Sequence, residues 1–187
     1  MEHPKSNTIV IDAKFGLPKD FLDDLLKNNP TVVTSDYDDT LVEKTGKYAL
    51  RLKMFKSLAE APNTKFLVVT SRDVIDINDS TCLSPRKPWD NILQFLQNNN
   101  INAHALIFNA GDKAEILDQL KTVCHFEDDI FTVLLCLKKG IPIWFTGEYL
   151  DVDYQKAWFD VIEKEAMYYP NHSINRLETI RSLGVLM

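Results

Sequence analysis

The run TVVTS at residues 31–35 passes into Asp36, Tyr37, Asp38, Asp39 and Thr40, so three acids fall within four positions behind the most strand-prone segment of the chain. Valine and threonine fit the pleated, buried surface of a strand, and an apolar run bounded by polar residues reads as a strand buried on both faces. Open parallel sheets take their ligands beyond the carboxyl ends of their strands. Carboxylates crowded there repel one another unless a cation or a bound group offsets them. The segment therefore predicts an α/β sheet with a site at the end of this strand, in the first instance a metal site.

The flanking sequence supplies the rest of such a sheet. Residues 8–11 read either as a short edge strand or as an arm lying on the core. A helix opening at Pro18, Lys19 and Asp20 places Phe21, Leu22, Leu25 and Leu26 on one face and stops at Asn28, Asn29 and Pro30. A turn or hairpin at 42–47 and a helix at 48–59 follow the first acids. Residues 65–70 form a second buried strand that runs into Thr70, Ser71, Arg72 and Asp73. A loop at 74–87 lies near the site, a helix starts at Pro88, Trp89 and Asp90, and 105–108 form a third strand. An amphipathic helix at 112–123 leads to a short strand at 124–126 that ends in Glu127, Asp128 and Asp129. A helix at 130–139 closes at Gly140, a fifth strand covers 141–145, and two helices broken at Pro170 complete the chain. Strands alternating with helices predict a Rossmann-like, mostly parallel sheet with helices on both faces.

At 187 residues, with 45% hydrophobic and 26% charged, the chain suits one domain spanning 1–187, with its core at 31–146 and a helical C-terminal extension at 151–187. A net charge of −6 argues against a broad basic face that tracks nucleic acid. Cys82, Cys124 and Cys136 are odd in number and lack metal-ligand spacing, and the first residues carry no apolar leader, so reduced thiols in a cytoplasmic protein are expected. The longest apolar run, near 130–137, is too short to span a bilayer.

Taken in chain order, Asp36, Asp38 and Thr40, then Thr70 and Ser71 behind the second strand, then Lys113, then Glu127 and Asp128, resemble the motifs of the haloacid dehalogenase superfamily, in its phosphatase branch without a cap domain. The resemblance covers roughly residues 31 to 146. It implies a Mg2+-dependent phosphomonoester hydrolase, with Asp36 as nucleophile and metal ligand. Asp38 is then the general acid and base and lends a backbone carbonyl to the metal. Thr70, Ser71, Arg72 and Lys113 hold the phosphate, and Asp128 completes the metal site between Glu127 and Asp129. The chemistry is coherent on physical grounds. A phosphate monoester is already anionic, so a carboxylate can attack it only where positive charge offsets both groups. Side chains two apart on an extended segment face the same way, so Asp36 and Asp38 address one cleft while Tyr37 points elsewhere.

Each residue also has a plainer reading. Asp38, Asp39 and Thr40 alone describe a helix cap or turn, Lys113 a solvated helix start, and Arg72 and Arg86 solvated cations. His125 reads as a satisfied core histidine, and Trp89, Phe95, Trp144 and Phe145 as core. The short segments between motifs leave no or minimal room for a cap, which implies an open site acting on a phosphorylated macromolecule. Acidic composition favours a phosphoprotein, with a small preference for phosphotyrosine if Tyr37 or Tyr48 lies at the entrance. The alternatives are a polynucleotide 3'-phosphatase, a small-metabolite or nucleotide phosphatase, and a binding or regulatory module without turnover.

Overall fold

The computed structural model describes residues 7–42, 48–73 and 91–146. Six strands, β1 (Ile9–Asp12), β2 (Thr31–Ser35), β3 (Thr64–Val69), β4 (Ala105–Phe108), β5 (Cys124–Glu127) and β6 (Ile143–Phe145), form one sheet in the order β1-β4-β3-β2-β5-β6. Every pairing is parallel. The connecting helices are α1 (Lys19–Leu25), α2 (Tyr48–Glu60), α3 (Ile92–Asn98), α4 (Lys113–Leu120) and α5 (Ile130–Lys138). This is an α/β, Rossmann-like architecture.

Strand alternation builds two cores. Val32, Leu67, Val69, Ala105, Ile107, Ile143 and Phe145 face α1, α4 and α5, whose Leu25, Leu117 and Leu137 are buried against them. Val33, Phe66, Val68, Leu106, Phe108 and Phe126 face the other way, onto Phe55 of α2 and Ile92 and Leu96 of α3. β3 and β4 are apolar on both faces because helices cover both faces.

The chain leaves β2 for β3 and β4 on one side, then crosses back to β5 and β6 on the other. The order therefore reverses between β2 and β5, and a crevice opens beyond their carboxyl ends. The Asp36 N–H donates to the Phe126 carbonyl at 2.9 Å, so the ladder runs one residue past β2 into that crevice.

Several boundaries differ from the sequence reading for local reasons. Residues 9–12 are a true edge strand on β4. Helix α4 stops at Leu120 because Lys121 turns left-handed at φ 54°. Strand β6 starts only at Ile143: the Ile141 N–H closes α5 onto Cys136, and Pro142 has no N–H to give. Helix α3 is described from Ile92, capped by Asn91, whose side chain accepts from the Gln94 N–H at 3.0 Å. The expected helix start at residues 88–90, the segment 43–47, the loop at 74–87 with Cys82 and Arg86, and the helices at 151–187 lie outside the described residues, and so does the test of a missing cap. Among the described residues no helix is long and apolar enough to cross a membrane. Cys124 and Cys136 are free thiols.

Candidate functional site

The crevice between β2 and β5 gathers groups that lie far apart in sequence. Asp36, one residue beyond β2, is only 7% exposed. Lys113 follows Asp112, which caps α4 by accepting from the Glu115 N–H at 3.1 Å. Placed at the first position of that helix, Lys113 carries its ammonium 3.0 Å from Asp36 Oδ1 and 2.9 Å from Glu127 Oε2. Glu127, the last residue of β5, is fully buried. Its Oε2 also meets His125 Nε2 at 3.0 Å, and its Oε1 accepts the backbone N–H groups of Asp128 at 3.2 Å and Asp129 at 3.1 Å.

Asp128 is fixed from the opposite strand end. Asp39 adopts a left-handed backbone at φ 53°, which aspartate tolerates better than most residues, and the N–H groups of Leu41 and Val42 both fold back onto the Tyr37 carbonyl at 3.0 Å. This tight turn delivers the Thr40 hydroxyl to Asp128 Oδ1 at 2.9 Å, with Thr146 Oγ1 3.3 Å away. On the other side of Glu127, Asp129 caps α5 through the Thr132 N–H at 3.0 Å.

Charge is unbalanced in this pocket. Oxygens of Asp36, Glu127 and Asp128 all lie within 4.8 Å of one another. Among the described residues, three carboxyl groups thus lie around the Lys113 ammonium. Burial, then the Glu127 charge, push the Asp36 carboxyl well above the usual carboxylate range against the pull of Lys113. For Glu127, burial acts upward but is outweighed by the His125 hydrogen bond and by Lys113, which hold it down to about 2. Burial works against the Lys113 charge, yet Asp36 and Glu127 prevail and keep it above the ordinary lysine value. A divalent cation fits this deficit. Glu127 has each oxygen engaged by two donors, which leaves Asp36 and Asp128 as the side chains suited to hold such an ion.

Asp38 is not part of that acidic cluster. Its carboxylate is gripped by Arg72, Nε to Oδ2 at 2.8 Å and Nη2 to Oδ1 at 2.5 Å, a two-pronged pair that fixes its orientation. The guanidinium lies 5.2 Å from the centre of the Tyr37 ring, which in turn meets Phe95 edge-on at 5.7 Å. Tyr37 is fully buried. It therefore has no face to offer a substrate, contrary to the expectation of an aromatic at the entrance; the Tyr48 side chain lies outside the described residues.

Asp36, Asp38, Lys113, Asp128 and Ser71 line one cleft of about 300 Å3. Thr70 lies beneath it, 1% exposed, with its hydroxyl accepting from the Arg72 N–H at 3.2 Å. The structure thus brings together Asp36, Asp38, Lys113 and Asp128, with Ser71 exposed on the wall, Thr70 shaping the turn and Arg72 turned onto Asp38. The sequence reading placed Glu127 only beside the metal ligand and His125 only in the core, and missed what they anchor. Glu127 holds Lys113, and Thr34, Thr122 and His125 lie below it. Only the two-residue spacing of His125 and Glu127 on one strand carried a signal for them.

Comparison of the chain with protein-family models, with curated proteins and with solved structures finds no match.

Proposed function

We propose that this protein is a Mg2+-dependent phosphomonoester hydrolase of the haloacid dehalogenase type. The observation that supports it best is the Asp36–Lys113 contact at 3.0 Å beside Asp128, at the point where the strand order reverses. An aspartate nucleophile needs its charge offset without being blocked, and a lysine at one oxygen leaves the other to attack.

Asp36, Asp128 and the Asp38 carbonyl would hold Mg2+, which would supply Lewis-acid polarisation of the phosphoryl oxygens. The remaining work falls to the chain. Lys113 offsets the charge of the entering phosphate, and Ser71 offers a hydroxyl on the cleft wall. Asp36 attacks phosphorus in line and the ester P–O bond breaks, while Asp38, released from Arg72 and protonated from solvent as substrate enters, gives that proton to the leaving oxygen. An acyl phosphate on Asp36 results. Water then attacks phosphorus, Asp38 takes its proton, the bond between phosphorus and Asp36 breaks, and inorganic phosphate leaves.

For the substrate we favour a phosphoprotein, on the net charge of −6, which disfavours binding along a nucleic-acid backbone. The buried Tyr37 removes one of the two aromatics on which the preference for phosphotyrosine over phosphoserine or phosphothreonine rested. A polynucleotide 3'-phosphate is the second reading. Hydrolysis of an aryl phosphate by wild type and Asp36→Asn, with Mg2+ and with chelator, tests the activity: turnover is expected only for wild type with metal. Equal turnover by Asp36→Asn, or rates indifferent to chelator, would overturn the reading. A panel of phosphopeptides, 3'-phosphate oligonucleotides and nucleotides assigns the substrate class.

A further inference from the structure

Beneath Lys113 runs a buried file of polar groups that the proposed reaction does not use. Thr122 Oγ1 lies 3.0 Å from Thr34 Oγ1, and Thr34 Oγ1 lies 2.9 Å from His125 Nδ1. His125 Nε2 reaches Glu127 Oε2 at 3.0 Å, the same oxygen that takes the Lys113 ammonium. All four side chains are buried. The file exists because Thr34 and His125 are paired in the register of β2 and β5, and because His125 and Glu127, two apart, share the strand face opposite Phe126.

Burial holds His125 below the ordinary histidine value, so its ring is neutral near pH 7. A neutral ring has one N–H, and the nitrogen that faces a carboxylate must carry it. His125 therefore donates from Nε2 to Glu127 and accepts at Nδ1 from the Thr34 hydroxyl. The Thr122 hydroxyl is braced against the Val32 and Cys124 carbonyls at 3.2 and 2.9 Å.

We infer that His125 is a positioning residue for Lys113: its Nε2–H satisfies one side of Glu127 Oε2, so that the ammonium is shared between Glu127 and Asp36 instead of being drawn wholly onto Glu127. Its role is carried by one hydrogen bond. Without that donor, Oε2 turns toward the Lys113 ammonium, its other partner among the described residues, and Asp36 loses the cation that restrains it. The kinetic side of this inference rests on the proposed phosphatase reading.

The test uses His125→Phe, which keeps a ring but no donor, His125→Gln, whose amide N–H reaches the Nε2 position, Glu127→Gln, and the double variant His125→Phe/Glu127→Gln. With an aryl phosphate and Mg2+, His125→Phe is expected to lose roughly 10- to 100-fold in turnover, as for partners that orient a functional group from behind. His125→Gln recovers most of that loss, and the double variant is no slower than Glu127→Gln alone. Losses that multiply in the double variant, or no recovery by glutamine, overturn the inference. If His125→Phe does not fold, His125→Asn, which meets Thr34 but falls short of Glu127, replaces it with the same expectation.

A second readout is independent of turnover. In protein without substrate or metal, carbodiimide–amine labelling read by peptide mass spectrometry should mark Asp36 weakly in wild type and His125→Gln and more strongly in His125→Phe, where its carboxyl has lost the Lys113 ammonium. That pattern in a protein without phosphatase activity removes the proposed reaction and leaves the positioning role standing. Equal labelling in all three removes the positioning role whatever the activity.

Discussion

Lys113 Nζ stands 3.0 Å from Asp36 Oδ1 and 2.9 Å from Glu127 Oε2, one ammonium between two carboxylates that the strand order brings together at the ends of β2 and β5. With the Lys113 side chain only 9% exposed, this contact is shielded from solvent and cannot be treated as a surface pair.

Removing the cation should therefore cost stability as well as activity. Lys113→Met leaves Asp36 and Glu127 buried beside each other without compensation, and a loss of about 3 kcal/mol is expected in urea unfolding. Adding Glu127→Gln to that variant should restore part of it. A Lys113→Met protein as stable as wild type would show that the ammonium is solvated.

Asp36→Asn should behave in the opposite way. Burial and the Glu127 charge disfavour the Asp36 carboxylate, so a neutral amide of the same shape relieves that cost. Unfolding in the presence of chelator should find the variant at least as stable as wild type at neutral pH, although it is inactive. A marked destabilisation would mean that Asp36 is a structural anchor.

The two described thiols should be inert. Burial pushes Cys124 up to about 11 and Cys136 up to about 12, so neither forms a thiolate near neutrality. Native protein treated with iodoacetamide at pH 8 should leave both unmodified by peptide mapping, and denaturant should expose both. Rapid native labelling of Cys136 would contradict the packing of α5.

A mild acid dependence of stability should come from His104. Burial, then the Lys65 charge, lower its pKa from 6.5, so the unfolded chain binds the proton more readily than the folded one. Its contribution is complete above about pH 6.5, the ordinary histidine value, and is lost as pH falls toward the folded value. Stability curves for wild type and His104→Gln between pH 7 and pH 5 should converge as pH falls. Parallel curves would exclude His104 as the source.

The sheet was legible because β2 and β3 carry short β-branched runs, β4 is a short apolar run, and the helices are bounded by polar caps or breakers such as Asp112, Asp129 or Gly140. The placement of Asp36, Lys113 and Asp128 in one crevice followed from chain order and from their position at element ends. Thr34, Thr122 and His125 were not legible as a file, because register between β2 and β5 sets their contacts and sequence does not display register. Nor does it display rotamers: the grip of Arg72 on Asp38 and the burial of Tyr37 depend on the turn at Asp39.

The central claim is that Asp36 accepts a phosphoryl group. Wild type mixed with an aryl phosphate and Mg2+, quenched in acid within one turnover and digested, is expected to carry a phosphoryl group on Asp36 that hydroxylamine removes, with none in Asp36→Asn. Wild type that hydrolyses the ester with no phosphoryl group on Asp36 at any quench time would contradict the account.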